Sequence, residues 1–291
     1  DDRPQAFDLW MEYLREEILT ALERKAPRPV MEAELWKQLD VDPGVFRGLT
    51  SLLARSEGPS RKGVLPLLAT TWGQGRPYNE QYPAVPGGKA EVASAATAMG
   101  QILKYWSHPV TGNGTDSYFH PIYGLVTADY GNTTYDWTSM PDSISDTNCE
   151  VARFLFHCGV SLKSSLSNAY RERFDYSRSL IYEHKDNFPS EEAWFELIRT
   201  ELDNGRPIHY RIGEDGDDFV IDGHQQTNYF HINWGSNGAL NGYFYLRDLG
   251  KRTPLSIEQS AAYRILPSKL MPAPELHDFA VPAQVPVGTP I

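Results

Sequence analysis

Ser94 stands at the start of a segment whose residue types and spacing suit a nucleophile at a helix N-terminus. Residues 92–106, VASAATAMGQILKYW, begin with small side chains and continue with an apolar spacing that fits one helical face. A serine here is a helix cap, an attacking hydroxyl or the remnant of a more reactive group. A hydroxyl is far more basic than a thiol, and the helix dipole (about 0.3–1 kcal/mol) cannot ionise it. Catalysis by Ser94 therefore requires a strong general base beside it.

A run of carboxylates, GEDGDD at residues 213–218, is a second concentration of chemically active side chains. Hard cations favour clustered carboxylate oxygens, but this run lacks the spacing of a calcium loop. It also has no second acidic cluster that would complete a coordination shell. We therefore predict a solvated acidic loop, no metal site and no cofactor.

The composition limits the class of protein and its partners. The chain has 291 residues, of which 41% are hydrophobic and 22% charged, as in soluble globular proteins with one large core. The 27 Lys and Arg residues against 38 Asp and Glu residues give a net charge of −11. This charge argues against nucleic acid and anionic membrane surfaces as partners. No apolar run approaches the ~18 residues of a membrane span, so we expect no membrane insertion, and the oligomeric state is left open.

Helical patterns precede the candidate site. An amphipathic helix is predicted over residues 8–25, and shorter helical pieces at 32–39 and 44–55. The polar loop at residues 56–63 is the best candidate for a domain boundary.

Two further helices follow the Ser94 segment. CEVARFLFHCGVSL, residues 149–162, is predicted to be a helix that Gly159 closes. The segment at 190–205 is predicted to be a helix with Ser190 as its N-cap and Gly205 as its stop.

The two cysteines, Cys149 and Cys158, fall in one predicted helix. Nine steps of ~100° place them on opposite faces, so a disulfide between them is not expected. We predict that both are core thiols.

Beyond residue 206 the apolar period changes to that of strands. The strand-like runs are PIHYRI, DFVIDGH, NYFHINWG and GYFYLRDL, with Gly or Asn between them. Helices followed by antiparallel strands predict an α+β class. The Pro-rich residues 268–291 lack any period and are predicted to be a linker or the stub of a removed module.

Several segments, in order along the chain, resemble the streptopain family of secreted bacterial cysteine peptidases. VLPLLATTWGQGRPYNEQYP (64–83) is similar to the family's opening segment, and ATAMGQILKYWSHP (96–109) is similar to its nucleophile helix. DFVIDGHQQTNYFHINWGSNGALNGYFYL (218–246) is similar to the strands that carry the catalytic base and its orienting Asn. The resemblance implies a papain-like α+β fold over residues 63–267, in which a helical half packs on a curled antiparallel sheet half. Residues 1–62 are then a prodomain remnant or a cap of that domain.

The resemblance also assigns positions to the site residues. The family pattern Gly-Cys-Val-Ala-Thr-Ala aligns with ASAATA, so Ser94 occupies the position of the nucleophilic Cys. Asp217 stands where the family has its catalytic His, and Asn233 matches the residue that orients that His. Trp234 matches the aromatic ring that shields the His, and Arg211 aligns near a Gln that helps to stabilise the oxyanion.

The residue types at these positions argue against catalysis. A carboxylate of ordinary pKa, about 4, is a poor acceptor for the proton of a serine hydroxyl. Ser94 and Asp217 are therefore expected to form a hydrogen-bonded pair at best, and not a catalytic dyad.

Three other histidines lie near the aligned segments. His231 faces the same side of its strand as Asn233, but the family also has a His there, so a structural role is expected. His224 follows a Gly and is expected to be exposed, and His108 is expected to stop the preceding helix. We predict that none of them replaces the missing base.

These replacements predict a secreted or cell-surface bacterial homologue of streptopain that does not cleave peptides but still binds a polypeptide in its cleft. Whether the chain is an enzyme stays uncertain at this level. One alternative is an active streptopain-type cysteine endopeptidase whose natural catalytic residues were replaced artificially in this sequence. Another is an interaction or adhesion module whose cleft is filled. The chain begins DDRPQAF without a signal peptide, which suggests a mature or trimmed form.

Overall fold

The computed structural model describes residues 63–213, 216–225, 229–249, 251–252, 255–256 and 258–270. The helices predicted within residues 1–62, the centre of the acidic loop at 214–215 and the tail at 271–291 lie outside the described residues. The domain boundaries proposed from the sequence therefore stay predictions.

A six-stranded antiparallel sheet forms the centre of the fold, with strand order β5-β12-β6-β7-β8-β9. Its strands are β5 (Ile181–His184), β6 (Ile208–Ile212), β7 (Asp218–Gln225), β8 (Tyr229–Asn233), β9 (Gly242–Tyr245) and β12 (Gln259–Tyr263). Two-stranded hairpins are formed by β1 (Ala84–Val85) with β2 (Gly88–Lys89), β3 (Thr115–His120) with β4 (Gly124–Asp129), and β10 (Lys251–Arg252) with β11 (Leu255–Ser256). The predicted strands are thus present, except that LRDL starts a helix.

The helices cover both faces of this sheet. They are α1 (Ser94–Trp106), α2 (Cys149–Ser161), α3 (Leu166–Asn168), α4 (Glu191–Asp203) and α5 (Leu246–Leu249). Val220 of β7 joins the apolar core around α1 and α2, whereas its neighbours Phe219 and Ile221 join the core around α4. Since successive strand residues point to opposite faces, α1 and α4 lie on opposite sides of β7. Within the described part of the chain, no helix is both long and apolar enough to cross a bilayer.

Helix α4 has the ends that the sequence predicts. The Ser190 hydroxyl accepts a hydrogen bond from the Ala193 N–H at 3.1 Å, as an N-cap does. Gly205, just beyond the helix, has φ +69°, a backbone conformation that favours glycine. The predictions for Ser190 and Gly205 are confirmed.

Helix α2 corrects two predictions. It continues through Gly159 to Ser161, so Gly159 does not close it. A Cβ at position 159 would collide with the Tyr82 hydroxyl, so this glycine serves the close approach of the Tyr82 side chain. Cys158 is buried and unbridged as expected, but Cys149 is exposed because it is the first residue of the helix.

His157 of α2 is buried in the helical half, and its Nδ1 lies 2.9 Å from the Tyr135 hydroxyl. Burial, followed by the charge of Arg153, lowers the pKa of His157 from about 6.5 to about 4. Between these two values the unfolded chain binds a proton at this imidazole that the folded chain does not bind. The neutral ring therefore contributes stability at neutral pH that is lost as the pH falls.

We expect the free energy of unfolding to decrease by at most about 3 kcal/mol from this group as the pH drops from 6.5 to 4. A His157→Gln variant keeps an acceptor for Tyr135 and should show a shallower decrease over the same range. Urea unfolding in steps of pH measures both proteins, with His120→Gln on the β3–β4 hairpin as the control for loss of one imidazole. Equal slopes for the native protein and His157→Gln would contradict this assignment.

Candidate active-site cleft

Ser94 is the first residue of α1, and its hydroxyl faces the start of β7. Ser94 Oγ accepts a hydrogen bond from the backbone N–H of Asp218 at 3.2 Å. The N-cap position is Ala93, and no side chain caps the helix, so Ser94 is not a cap. Asp217 is half-buried, and its carbonyl accepts the Ile212 N–H at 3.1 Å in the turn between β6 and β7. The structure thus brings Ser94 against the peptide bond between Asp217 and Asp218.

The seven histidines of the described residues all have partners other than Ser94. The partners are Asp175 for His108, the Ile122 and Tyr123 amides for His120, Tyr135 for His157, Glu258 for His184, Tyr170 and Asp218 for His209, Asp203 for His224, and Asp222 for His231. Among these rings, none has a nitrogen that hydrogen-bonds to Ser94 Oγ. A general base of the kind that a serine nucleophile requires is therefore missing from this part of the chain.

His224 of β7 and His231 of β8 are each paired with an aspartate. His224 is fully buried, with Nε2 2.9 Å from Asp203, so the prediction that it is exposed is wrong. The reason is that β7 continues through it to Gln225 instead of turning at Gly223. The His231 Nδ1 lies 2.6 Å from Asp222, whose other oxygen accepts the Leu68 N–H at 3.0 Å.

Asn233 is buried at the end of β8, where its amide pairs reciprocally with that of Gln101 of α1. Gln101 Nε2 donates to Asn233 Oδ1 at 3.1 Å, and Asn233 Nδ2 donates to Gln101 Oε1 at 3.2 Å. Asn233 Nδ2 also donates to the Thr70 carbonyl at 2.8 Å, and Oδ1 also accepts the Gly235 N–H at 3.1 Å. Both donors and both acceptor positions of the amide are used. Asn233 has no hydrogen-bonding capacity left to orient an imidazole.

Trp234 lies in the core on the α4 side of the sheet. It is buried, with its ring centroid 4.8 Å from that of Phe219 and 5.5 Å from that of Phe244. The next residue, Gly235, has φ +67°, and a Cβ there would lie 2.9 Å from Thr97 Cγ2. This glycine therefore lets the turn after β8 approach α1 closely.

His209 and Asp218 form a buried polar pair that sequence reasoning did not find. His209 Nε2 lies 2.9 Å from Asp218 Oδ1, and His209 Nδ1 lies 3.2 Å from the Tyr170 hydroxyl. Burial raises the pKa of Tyr170 well above its ordinary value, so this hydroxyl keeps its proton. Because a carboxylate oxygen only accepts, the His209 Nε2–H donates to Asp218 Oδ1. The alternation in PIHYRI places His209 and Arg211 on one strand face, but only the register with β7 brings Asp218 to them.

A cavity of about 320 Å³ opens beside the Ser94–Asp218 contact. It is lined by Ala95, Leu162, Ser165, Leu166, Ser167, Tyr182, Arg211 and Asp218. Arg211 Nη1 lies 3.8 Å from Asp218 Oδ2 across the β6–β7 pair. Arg211, which aligns near the oxyanion position, lines this cavity, and Trp234, which matches the shielding ring, does not. No group of three or more metal-ligating side chains occurs within the described residues.

The sequence and the fold both have known relatives. The family model described as the peptidase C10 family matches residues 72–244. This chain belongs to the peptidase C10 family. The thiol protease/hemagglutinin PrtT of Porphyromonas gingivalis is 31% identical over 81% of this chain and 28% of its own length. Streptopain of Streptococcus pyogenes is 26% identical over 66% of this chain and 57% of its own length. The chain thus spans less than two thirds of either relative.

Two solved structures from Prevotella intermedia share the fold. A prointerpain A fragment superposes with a TM-score of 0.66 at 28% identity, covering 88% of this chain and 82% of that one. The active wild-type interpain A cysteine protease superposes with a TM-score of 0.60 at 31% identity, covering 70% of this chain and 95% of that one. These likenesses confirm the predicted C10, streptopain-like family and the papain-like α+β fold.

The Gln101–Asn233 pair predicts a large loss of stability when the glutamine is removed. In Gln101→Leu, the Asn233 amide and the Trp72 N–H, which donates to Gln101 Oε1 at 3.1 Å, lose a buried partner. We expect the free energy of unfolding to decrease by about 1–3 kcal/mol, measured by urea unfolding. Gln81→Leu, at an exposed position, is the matched control and should change it by less than about 0.5 kcal/mol. If Gln101→Leu is as stable as the control, the pair does not hold the helix to the sheet.

Proposed function

We propose that this chain is a catalytically inactive member of the peptidase C10 family whose cleft binds a polypeptide without cleaving it. The observation that carries the proposal is the environment of Ser94. Its oxygen accepts a backbone N–H from Asp218, and every histidine of the described residues is bound elsewhere. Among the described residues, no imidazole is placed to take the proton of this hydroxyl as it attacks a carbonyl.

Replacing a cysteine by a serine removes the part of the chemistry that the helix N-terminus could assist. A cysteine thiolate at that place gains from the helix dipole and from a neighbouring imidazolium, which together lower its pKa. The serine gains nothing comparable, because its hydroxyl does not ionise near neutral pH. The site therefore keeps the position of a nucleophile without its reactivity.

The environment of Asn233 argues against the alternative of an active peptidase that two artificial substitutions have disabled. Its amide is fully used by Gln101, Thr70 and Gly235, so its hydrogen bonds are built into the fold without a histidine. Comparison of the natural gene at codons 94 and 217 decides the matter directly. A cysteine codon at 94 and a histidine codon at 217 would favour the alternative, an active cysteine peptidase.

The cavity beside Ser94 favours polypeptide binding over an interaction module with a filled cleft. Its volume of about 320 Å³ lies directly next to the position of the nucleophile. PrtT is named a thiol protease, and interpain A a cysteine protease, so related proteins act on peptide bonds with this fold. The relatives named above come from bacteria, which supports a bacterial origin for this chain, and we propose that it is secreted or held at the cell surface.

The purified chain should not cleave fluorescein-labelled casein, and Ser94→Ala should behave identically. The physical reason is that the part of the chain that the structure describes places no base beside the Ser94 hydroxyl. Release of dye over hours measures any turnover, with a papain-type cysteine protease as the positive control. Cleavage by the native chain that disappears in Ser94→Ala would end the proposal of inactivity.

The double variant Ser94→Cys with Asp217→His tests whether the rest of the site is competent. We expect casein cleavage at least about 10³-fold below that of interpain A, because Asn233 cannot hold the new imidazole in place. Ser94→Cys alone is the control, and its reaction with a thiol reagent shows that the new side chain is accessible. Activity within about tenfold of interpain A would show that Asn233 can exchange partners.

A further inference from the structure

The hairpin β3–β4 exposes three large apolar side chains at one end. Phe119, Ile122 and Leu125 are 76%, 76% and 71% exposed. Phe119 and Leu125 lie directly opposite each other in the register of the two strands, and Ile122 lies in the turn between the strands. Single exposed apolar residues are common on proteins, but these three are neighbours in one hairpin. They form an apolar patch of the kind that marks an interaction site.

The outer face of the hairpin changes from polar to apolar along its length. Successive strand residues alternate between two faces, and the inner face, with Val126, joins the apolar core around α1 and α2. On the outer face, the Ser117 and Thr127 hydroxyls lie 2.9 Å apart. The next outward pair toward the turn is Phe119 with Leu125. The apolar surface is therefore at the end of the hairpin and not along its side.

The end of the hairpin also lacks ionic side chains that a nonpolar environment would exclude. Residues 117–127, SYFHPIYGLVT, contain no Lys, Arg, Asp or Glu. The nearest acidic residues in the chain are Asp116 and Asp129, at the base of the hairpin. There the Asp116 carboxylate accepts two hydrogen bonds from the Arg173 guanidinium, at 2.7 and 2.8 Å. Ionic groups thus stay at the base, and neutral groups occupy the end.

The backbone of the turn has hydrogen-bond partners within the hairpin. His120 Nδ1 accepts the Ile122 N–H at 3.2 Å and the Tyr123 N–H at 3.4 Å, and its ring stacks on that of Tyr123 with the centroids 4.1 Å apart. A ring nitrogen that accepts carries no proton, so the imidazole is neutral in this arrangement. Pro121, the remaining turn residue, has no N–H. The N–H groups of residues 121–123 therefore keep their partners when water is withdrawn, as a nonpolar medium requires.

A lipid bilayer suits this apolar end better than a second copy of the chain does. A standard protein interface buries about 800 Å² on each partner. A large aromatic side chain buries about 150–250 Å², so even three such side chains supply less than that. Binding to a bilayer needs no minimum interface, because it scales with whatever apolar area is buried among the acyl chains.

The charge of the chain selects the kind of lipid. At a net charge of −11, the chain is repelled by a surface of anionic headgroups. A zwitterionic headgroup such as phosphocholine has no net charge, so this repulsion is absent.

We propose that the end of the hairpin β3–β4 inserts Phe119, Ile122 and Leu125 into the surface of a zwitterionic phospholipid bilayer. Tyr118, with the Lys163 ammonium 5.0 Å from its ring centroid, then lies near the headgroups, where Tyr and Lys side chains are favoured. The three side chains reach only the boundary between headgroups and acyl chains, so no apolar run of about 18 residues is needed. The expectation of no membrane insertion, which rested on the absence of such a run, applies to spanning segments alone.

Sedimentation of the full chain with sucrose-loaded phosphatidylcholine vesicles tests the proposal. We expect a partition coefficient of about 10³–10⁵ M⁻¹, comparable to that of one myristoyl chain. The combined variant Phe119→Ser, Ile122→Ser and Leu125→Ser should bind at least about 100-fold more weakly. Leu65→Ser, at a position 79% exposed outside the hairpin, is the matched control and should bind like the native chain. Phosphatidylglycerol in place of about a third of the lipid should weaken the binding of the native chain.

A fluorescent label shows which part of the chain enters the bilayer. Cys149 is exposed and Cys158 is buried, so Ile122→Cys in a Cys149→Ser background offers one accessible thiol for an NBD dye. Its emission should rise when phosphatidylcholine vesicles are added. The same dye at Leu65→Cys should not respond.

The combined variant should keep the circular dichroism spectrum and urea midpoint of the native chain, because all three side chains are exposed. If it does not fold, Ile122→Ser alone takes its place and should bind about tenfold more weakly. Absence of vesicle binding by the native chain, or equal binding by the native chain and the folded variant, would overturn the proposal. If light scattering shows a native dimer that becomes a monomer in the variant, the patch is an interface between copies and the lipid proposal is wrong.

Discussion

The amide pair between Gln101 and Asn233 is the interaction on which the geometry of the cleft depends. It joins the middle of α1 to the end of β8, and through the Trp72 N–H and the Thr70 carbonyl it also joins the segment that precedes the helix. Every hydrogen-bonding position of the Asn233 amide is used in a buried place. The N-terminus of α1 is therefore held against the start of β7, where Ser94 meets the backbone of Asp218.

This constraint holds the Ser94 hydroxyl in the cleft at the N-terminus of α1. To act as a nucleophile, a hydroxyl needs a base that the described residues do not place beside it. The buried imidazole of His209 is directed at the Asp218 carboxylate and the Tyr170 hydroxyl. The hydrogen bonds of these buried polar groups are made with one another inside the fold, where they are stronger than in water.

Particular residues show how far the sequence alone predicted the structure. Ser190 and Gly205 correctly predicted the two ends of α4, because helix capping depends on residues only a turn away in the sequence. Gly159 misled the prediction for α2, because its reason is the approach of Tyr82, a residue far away in the chain. His224 was expected at the surface for a similar reason: a Gly before it suggested a turn, and the pairing of β7 with β8 removed that turn.

The sequence by itself determined the family, the order of helices and strands, and the residue types at positions 94, 217 and 233. These follow from local spacing and from motifs, which are properties of neighbouring residues. Only the tertiary structure decided what those residues contact: the Asp218 amide for Ser94, the Gln101 amide for Asn233, and the cavity for Arg211. The reason is that strand register and the packing of α1 bring together groups more than a hundred residues apart in the chain. A hydrogen bond depends on the distance and angle between two groups in space and not on their separation in the sequence.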